Sequence, residues 1–571
     1  MKGRMDIEMN ACFCKAMTVR VMLMIVLAMA FSLCLSAKTV FKADFKQGLT
    51  GWKVNNSGTV VNAETIHGEN AFVVRRDPSH KSKGTYWNVV GEKFPVVPGR
   101  RIAVFVRARS SFKTLRTCRG FNRTYITALR SFDGEGNELP IPFGYGYDLE
   151  KDAWRYTVEG TTVPENAATA RMEFGFDTPD LSTNSYLSVS QAWVEMAEAG
   201  ESASSSSLRD DGTVLVDGKP FFPIGIYHVC ECERNGNSVE TAFRDLKAAG
   251  FNMVHRHKAN IAEKDFLSLA DRYGLKVFQV PAPSYKHDFV EESNIADYRS
   301  HPSVLAWYLA DDTAGHSTPE EVSFRHRIAK ALDPARLTLQ ADFVMMDGSN
   351  CRYPRYVHTS DVYLPELYPV FWKNPQGSEV SEIVRDMKRI RSEIEAAGNP
   401  LKSVWPIIQH FDGWGWQRFP TFAELRAMSW ESIVHGGKGI VWYVYHSRSG
   451  RGRGVVASDE YWNNMKGVSS EIASFKDDLV ARTAAEQPRV EILSGPVKDF
   501  YGFAPVSVLL KSGDSPLLAT VNAATNAVKA VVRVKGFRTA EVIGKGITLD
   551  ATNGISDEWE PYGVRLYRLK K

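Results

Sequence analysis

An unbroken run of apolar and aromatic residues, Val304 to Ala310, is the most informative hydrophobic pattern in the chain. Because its positions do not alternate between apolar and polar, both faces must be buried, and the run predicts a strand of a parallel sheet covered by helices. The run stops at two carboxylates, Asp311 and Asp312. In a parallel β/α barrel the carboxyl ends of the strands form the active face, so both acids are candidates for catalysis or substrate contact. Capping of the helix that begins near Ser317 is the alternative role for Asp312.

The same alternation of a strand-like run with an amphipathic helical stretch occurs eight times between residues 208 and 484. Helical spacing is clear at Val239, Ala242, Phe243 and Leu246, for example, which share one face. Eight β/α units predict a closed (β/α)8 barrel rather than an open sheet. The predicted strands are Phe221–His228, Phe251–His257, Leu275–Pro281, Val304–Asp312, Leu337–Val344, Asp361–Pro369, Ser403–Phe411 and Gly439–His446.

Short β-rich runs separated by Gly, Pro and Asn flank the predicted barrel on both sides. Residues 38–196 predict a jelly-roll β-sandwich, and residues 485–571 a small C-terminal β-sandwich. The serine-rich stretch 197–207 has no periodicity and predicts a linker. Asp217-Gly218 predicts a tight hairpin turn at the start of the barrel domain. In the jelly roll several aromatic side chains could stack on sugar rings or belong to the core: Trp52, Trp87, Tyr145, Tyr147 and Trp154.

Residues 1–37 have the pattern of a secretion signal. Lys15 and Arg20 precede the apolar run Val21 to Leu35, and Ser36-Ala37 supplies a small-residue cleavage site after Ala37. The apolar run is shorter than the roughly 20 residues that span a bilayer. We therefore expect a secreted or periplasmic protein without an integral membrane segment, with attachment to the cell surface as an open alternative.

Charge and cysteine content exclude several classes of function. The 571 residues carry 70 basic and 66 acidic side chains, which gives a net charge of +4. The chain has no long run of basic residues, so nothing in the sequence indicates a nucleic-acid partner. Cys230-Glu231-Cys232 has no matching second pair of ligands, and His255, His257 and Asp311 lack the tight spacing of a zinc site. We expect no metal and no cofactor.

The candidate site residues stand where predicted strands end. Besides Asp311 and Asp312 they include His255 in the last residues of strand two, Glu366 in those of strand six and Gln409 in those of strand seven. Strand eight ends with Trp442 and Tyr443, and the loop after strand seven contains Trp414. Carboxylates beside aromatic rings suit a neutral polyhydroxylated ligand better than a phosphorylated one.

The stretch His301 to Asp312 resembles the fourth-strand motif of the large β/α-barrel glycoside hydrolase superfamily that includes β-galactosidases, β-glucuronidases and mannanases. Pro420–Arg426 and Gly436–Ile440 are similar to helix seven and strand eight of secreted members. The resemblance spans roughly Gly212 to Val480. It implies a secreted enzyme that hydrolyses glycosidic bonds of an oligo- or polysaccharide with paired carboxylates.

Two positions depart from the usual pattern of that superfamily. Its members usually end strand four with a Glu as acid/base, and the matching residue here is Asp312, one methylene shorter. Where their nucleophilic Glu would lie, this chain has Gln409, which neither attacks nor ionises.

Three interpretations remain open. In the first, Asp312 is the general acid/base and Glu366 the second carboxylate. In the second, Asp412 replaces the missing nucleophile. In the third, the chain is a non-catalytic carbohydrate-binding protein built on a degenerate glycosidase barrel. Glu366 has a further alternative role, because a Glu before Leu-Tyr-Pro can simply hold a loop.

Overall fold

The computed structural model describes sixteen ranges of the chain. The predicted signal peptide, Cys230, Cys232 and His257 lie outside them. The described ranges are 38–80, 86–112, 126–139, 143–146, 151–177, 184–196, 204–229, 238–256, 261–281, 294–313, 317–343, 353–370, 379–399, 402–416, 418–446 and 452–571. They fall into two compact units, residues 1–155 with 161–200, and residues 156–160 with 201–571.

The first unit is a β-sandwich of two antiparallel sheets, ordered β3-β4-β11-β6-β9, with β1 paired to β11, and β2-β5-β10-β7-β8. Its strands are β1 Lys38–Ala43, β2 Lys53–Ser57, β3 Thr59–Ile66, β4 Glu69–Arg76, β5 Tyr86–Pro95, β6 Arg101–Ser110, β7 Ile126–Phe132, β8 Phe143–Gly146, β9 Arg155–Thr162, β10 Thr169–Asp177 and β11 Tyr186–Met196. Trp87 is fully buried and Trp52 packs on Phe45 and Phe174, so both indoles belong to the core and not to a sugar-binding surface. Trp154 lies half-buried beside Arg107.

Eight parallel strands close the barrel of the second unit, as the sequence predicted. Every strand pairs with its neighbours in chain order, and the last pairs with the first through Ile224 and Ile440. The strands are β15 Ile224–Val229, β16 Met253–Arg256, β17 Lys276–Gln279, β18 Val304–Ala310, β19 Leu337–Phe343, β20 Val362–Leu367, β21 Ser403–Val404 with β22 Ile407–Gln409 as the seventh, and β24 Ile440–Tyr443. All seven residues of β18 are buried, which explains its unbroken apolar pattern.

Helices surround the barrel strands. The amphipathic face predicted for the first of them is confirmed, since Val239, Ala242, Phe243 and Leu246 are its buried residues. The helices are α1 Val239–Ala248, α2 Glu263–Arg272, α3 Ile295–Tyr298, α4 Pro319–Leu332, α5 Glu379–Ala396, α6 Phe422–Val434, α7 Asp459–Ser474 and α8 Lys476–Leu479, with 3₁₀ turns at Tyr353–Tyr356 and Val455–Ala457.

A small antiparallel sheet covers the amino-terminal end of the barrel. It comprises β12 Ser206–Leu208, β13 Val214–Val216 and β14 Lys219–Phe221, and β12 begins inside the range predicted as a linker. The Ser206 hydroxyl donates to the Leu305 carbonyl at 2.5 Å and accepts from the Leu337 amide at 2.9 Å. Asp217 and Gly218 both have positive φ, as the predicted tight hairpin requires. The sheet closes the amino-terminal end of the barrel, so a functional site is expected at the opposite end, where the strands finish.

The C-terminal β-sandwich packs on the barrel helices. Its two sheets are ordered β26-β29-β32 and β27-β28-β33-β30-β31. Their strands are β26 Arg489–Ser494, β27 Val506–Leu510, β28 Leu517–Asn522, β29 Val528–Arg533, β30 Thr539–Val542, β31 Ile547–Asp550, β32 Ile555–Trp559 and β33 Val564–Lys570. A further short pair, β23 Asp412–Gly413 with β25 Gly452–Arg453, lies beyond the end of the seventh barrel strand.

Candidate active site

Asp312 lies in the loop that follows β18 and has a left-handed backbone, with φ of 48°. Asp tolerates this conformation better than most residues, but it still costs about 1–3 kcal/mol and is concentrated at functional sites. Thr318 caps helix α4, since its hydroxyl accepts from the Glu321 amide at 3.2 Å. The alternative that Asp312 is the cap of this helix is therefore wrong, and its exposed side chain is available for another role.

Buried hydrogen bonds hold the loop that carries Asp312. The Arg325 guanidinium donates to the Ser317 hydroxyl at 3.1 Å and to the Leu309 carbonyl at 3.4 Å. The Tyr356 hydroxyl donates to the Ser317 carbonyl at 2.6 Å. These contacts come from α4 and from the 3₁₀ turn, so the loop is anchored at both ends by elements outside it.

Three carboxylates converge at the carboxyl ends of β18 and β20. One side-chain oxygen from each of Asp311, Asp312 and Glu366 lies within 4.8 Å of the other two, and Asp312 is hydrogen-bonded to Glu366. Glu366 therefore points at the other acids, and its role is more than holding a loop. The paired mechanism needs the carboxyl groups of Asp312 and Glu366 close together, and an oxygen of each lies within 4.8 Å of the other.

The environment of Glu366 favours its protonated form. The side chain is half-buried, and the pKa of its carboxyl is raised well above the usual value, first by burial and then by the negative charges of Asp312 and Asp311. Asp342, which is buried at the end of β19, raises this pKa further. Asp342 is not among the candidate site residues predicted from the sequence, although it lies near the end of a predicted strand, as Glu366 does.

Two tyrosines form a hydrogen-bonded chain beneath the acids. The Tyr227 hydroxyl donates to the Tyr308 hydroxyl at 2.9 Å, and the Tyr308 hydroxyl donates to Asp311 Oδ1 at 2.5 Å. Both rings are buried inside the barrel. A hydroxyl that donates to a carboxylate stabilises negative charge on it, and this chain directs one at Asp311. The sequence does not reveal it, because tyrosines within apolar strands look like core residues.

Aromatic rings enclose the acids on the side of strands one, two and eight. His255 is buried and stacks on Phe278 at 4.6 Å between ring centroids, with Tyr227 at 4.9 Å. Tyr443 is half-buried, and burial with the charges of Asp311 and Glu366 raises its pKa above the usual value. The Tyr443 ring packs on Tyr227 and on Trp414, at 5.9 Å between ring centroids in both cases.

Two predicted site residues have other roles. Trp442 is fully buried, donates from its indole nitrogen to the Ser429 hydroxyl on α6 at 3.2 Å, and packs edge-on against Phe251. It therefore lies between barrel and helices, because neighbouring residues of a strand point to opposite faces. Gln409 is also fully buried, and its amide accepts from the Val370 amide at 2.9 Å and donates to the Val370 carbonyl at 3.2 Å. Both of its polar groups hold the loop after strand six.

The structure gives no support to Asp412 as a substitute nucleophile. Its carboxylate is buried and accepts from Arg453 Nε at 3.0 Å on both oxygens. It is not among the carboxylates that converge with Asp312. A carboxylate bound in this bidentate manner is neutralised and fixed in direction, so it supports β23 and β25 instead.

The acid cluster is also the one group of described residues that could hold a metal ion. Carboxylate oxygens are the ligands that Ca²⁺ and Mg²⁺ prefer. The raised pKa of Glu366 works against this role, because a proton and a metal ion compete for the same oxygen.

Within the described part of the chain, no helix is both long and apolar enough to cross a membrane. Comparison with protein-family models and with curated proteins gives no match.

Solved structures do resemble the chain. It is similar to a glycoside hydrolase family 5 protein from Bacteroides vulgatus, with 14% identity, 64% of this chain and 93% of the other covered, and a TM-score of 0.44. A catalytic mutant of a family 42 β-galactosidase from G. stearothermophilus is 8% identical, with 62% of this chain and 98% of the other covered and a TM-score of 0.45. A β-glucuronidase from Bacteroides uniformis is 11% identical, with 89% of this chain and 59% of the other covered and a TM-score of 0.33. Because these identities and TM-scores are low, the activity of this chain has to be judged from its own residues.

Proposed function

We propose that the chain is a glycoside hydrolase whose working pair is Glu366 and Asp312. Convergence of their carboxyl groups in one cluster is the observation that carries this proposal. Glycoside cleavage needs one protonated acid at the leaving oxygen and one ionised carboxylate at the sugar. A cluster in which burial and neighbouring charges favour the protonated form of one acid, with a second carboxylate beside it, supplies both.

The roles of the two acids are exchanged relative to the sequence prediction. Glu366 is half-buried among other carboxyl groups, which favours the protonated form that a general acid needs. Asp312 is exposed and takes the part of the second carboxylate, the nucleophile. The sequence resemblance assigned the acid/base role to Asp312 from its position in the motif, and that position contains no information about burial.

The spacing of the pair favours retention of the anomeric configuration. Retaining enzymes hold their carboxyl groups about 5–5.5 Å apart, and inverting enzymes about 6.5–9.5 Å apart. One oxygen of each acid lies within 4.8 Å of an oxygen of the other, which is on the retaining side of these two ranges. Proton NMR of the first-formed product should show the anomer of the substrate, and the opposite anomer would exclude Asp312 as nucleophile.

Substitution of either acid tests the proposal. Glu366→Gln and Asp312→Asn should each lower turnover about a hundredfold or more, because acid–base catalysis contributes about 10²–10⁴-fold. A panel of α- and β-linked 4-nitrophenyl glucosides, galactosides, mannosides and glucuronides provides the assay. Glu240→Gln, an exposed acid paired with Arg272 on the helix layer, is the matched control and should leave turnover unchanged. Normal turnover in both site variants, with intact folding by circular dichroism, would contradict the assignment.

A chelator separates acid–base catalysis from metal-assisted catalysis at the same three carboxylates. If Glu366 carries a proton, turnover should be the same before and after dialysis against EDTA. Loss of turnover with recovery on adding Ca²⁺ or Mg²⁺ would show that the cluster holds a metal ion.

Secretion and carbohydrate as the substrate class remain proposals of the same kind. Secretion depends on residues 1–37 alone. Recovery of the chain inside cells with those residues uncleaved would contradict it.

A further inference from the structure

We propose that Trp414 is a stacking platform for a second sugar unit next to the acid cluster, so that the substrate is an oligo- or polysaccharide. This inference rests on the proposed function. It goes beyond that function in assigning a separate binding position, and it depends on how the loop after strand seven is built.

Trp414 occupies a position at the tip of a hairpin that normally excludes bulky residues. The Gly413 amide donates to the Trp416 carbonyl at 2.6 Å, and the Trp416 amide donates to the Gly413 carbonyl at 2.8 Å. Trp414 and Gly415 between them have φ of 50° and 111°. Asn or Gly is the usual residue at such a turn position, and a bulky residue with positive φ is a strained outlier. Such strain is concentrated at ligand-binding elements.

The indole of Trp414 is not fully buried. Trp414 is 37% exposed, which is unusual for a residue with so large an apolar surface. The indole meets Phe411 edge-on at 5.6 Å and Tyr443 at 5.9 Å. Tyr443 packs on Tyr227 at 5.9 Å, and Tyr227 is hydrogen-bonded through Tyr308 to Asp311. A continuous chain of side chains therefore connects the exposed indole with the acid cluster.

The chain fixes the indole through Gly452. A Cβ atom at that position would collide with Cζ3 and Cε3 of Trp414, so only glycine allows the ring to lie against this backbone. The adjacent Arg453 binds the Asp412 carboxylate, which holds β25 beside β23. The Trp416 indole donates to the Tyr368 carbonyl at 3.0 Å and anchors the other side of the hairpin. A ring fixed before binding loses little conformational entropy when a ligand stacks on it.

A flat, fixed and partly exposed indole suits the apolar C–H face of a neutral pyranose. The proposed chemistry places one sugar at the acids, so a sugar on Trp414 is a second unit of the same substrate. We expect Trp414 to affect binding of that second unit and not the chemistry at the first.

Kinetics on substrates of different length test this platform. Glycosyl fluorides place one sugar at the acids with a leaving group too small to stack, whereas oligosaccharides of two to four units of the same sugar extend beyond it. Trp414→Ala should lower kcat/KM for the oligosaccharides about tenfold, through KM, and change fluoride release less than about twofold. Trp414→Phe should keep part of the effect. Phe500→Ala, an exposed aromatic of the C-terminal sandwich, is the control and should change neither substrate.

The outcomes separate the platform from the proposed function. An equal loss on both substrates, or no loss on either, would overturn the platform while leaving hydrolysis in place. If the native chain hydrolyses nothing, calorimetry with the same oligosaccharides decides: binding that Trp414→Ala weakens supports the platform without catalysis. Failure of every oligosaccharide to bind would overturn both proposals.

Discussion

At the scale of single residues, the proposed chemistry depends on which acid holds a proton. Glu366 and Asp312 are similar in sequence terms, since each is a carboxylate that ends a barrel strand. Burial and the surrounding negative charges distinguish them and raise the pKa of Glu366. The tyrosine chain also affects the pKa of Glu366. Tyr308 donates to Asp311, and the charge on Asp311 is one of the causes of the raised pKa of Glu366.

Replacement of Tyr308 by Phe should change the pH dependence of kcat/KM. In Tyr308→Phe, Asp311 loses the hydrogen bond from the tyrosine hydroxyl, so the negative charge that it presents to Glu366 is less stabilised. The pKa of Glu366 should then fall towards its usual value. Since Glu366 must be protonated to act as the acid, the alkaline limb of the pH profile of kcat/KM should move to lower pH. If kcat/KM falls at every pH while the alkaline limb stays at the same pH, Tyr308 has a purely structural role. Tyr227→Phe should give a smaller shift in the same direction.

The second residue-scale prediction concerns Gln409. Because the sequence resemblance places a nucleophilic Glu at this position, Gln409→Glu would be expected to restore activity if sequence position alone mattered. The structure predicts the opposite, since a carboxylate at this position cannot donate to the Val370 carbonyl and would be buried beside it. Unfolding in urea should show a loss of about 1–3 kcal/mol, with no gain in turnover. A gain in turnover would show that residue 409 reaches the substrate.

At the scale of elements, local signals were sufficient to place most strands and helices. The predicted fourth strand ended two residues late, at Asp312 instead of Ala310, because the left-handed backbone at Asp312 ends the extended run. Helix starts are equally local: Thr318 and Thr421 each cap a helix with the Glu three residues later. In contrast, a tryptophan at the tip of the strand-seven hairpin could not be assigned a conformation from local preference, which disfavours it there.

The element-scale prediction concerns the start of α6. Thr421→Ala removes the hydroxyl that accepts from the Glu424 amide at 3.3 Å, and should lower the free energy of unfolding by about 1 kcal/mol. Glu424 remains paired with Arg418, so the helix should still form. The urea midpoint measures the effect, and the exposed Thr525→Ala serves as the matched control. Turnover should not change, because this end of α6 contributes nothing to the acid cluster.

At the scale of the whole molecule, the barrel and the C-terminal sandwich belong to one compact unit. Arg426 on α6 joins them, since it donates to the Val564 carbonyl at 3.1 Å and pairs with Glu471 on α7 at 2.6 Å. The Tyr501 hydroxyl donates to Glu382 on α5 at 2.8 Å. These contacts lie on the helix layer and not at the mouth of the barrel, which agrees with a structural role for the C-terminal sandwich.

The whole-molecule prediction follows from Arg426. Arg426→Met should lower the free energy of unfolding by about 1–2 kcal/mol, because a half-buried Glu471 loses its partner and a carbonyl its donor. Denaturant unfolding should remain a single transition for barrel and sandwich together. Turnover on the glycoside panel should stay normal at temperatures where the variant is folded. Separate transitions in the native chain would contradict the coupling of the two domains.

The sequence by itself determined the barrel, its flanking β-domains and the position of acids at strand ends. These follow from hydrophobic periodicity, capping residues and turn residues, which act between neighbours along the chain. Only the tertiary structure decided that Glu366 meets Asp312, that Asp342 lies close enough to act on them, and that Gln409 and Trp442 are occupied elsewhere. Proton affinity, burial and hydrogen-bond partners depend on groups brought together through space from different strands, and no local pattern contains them.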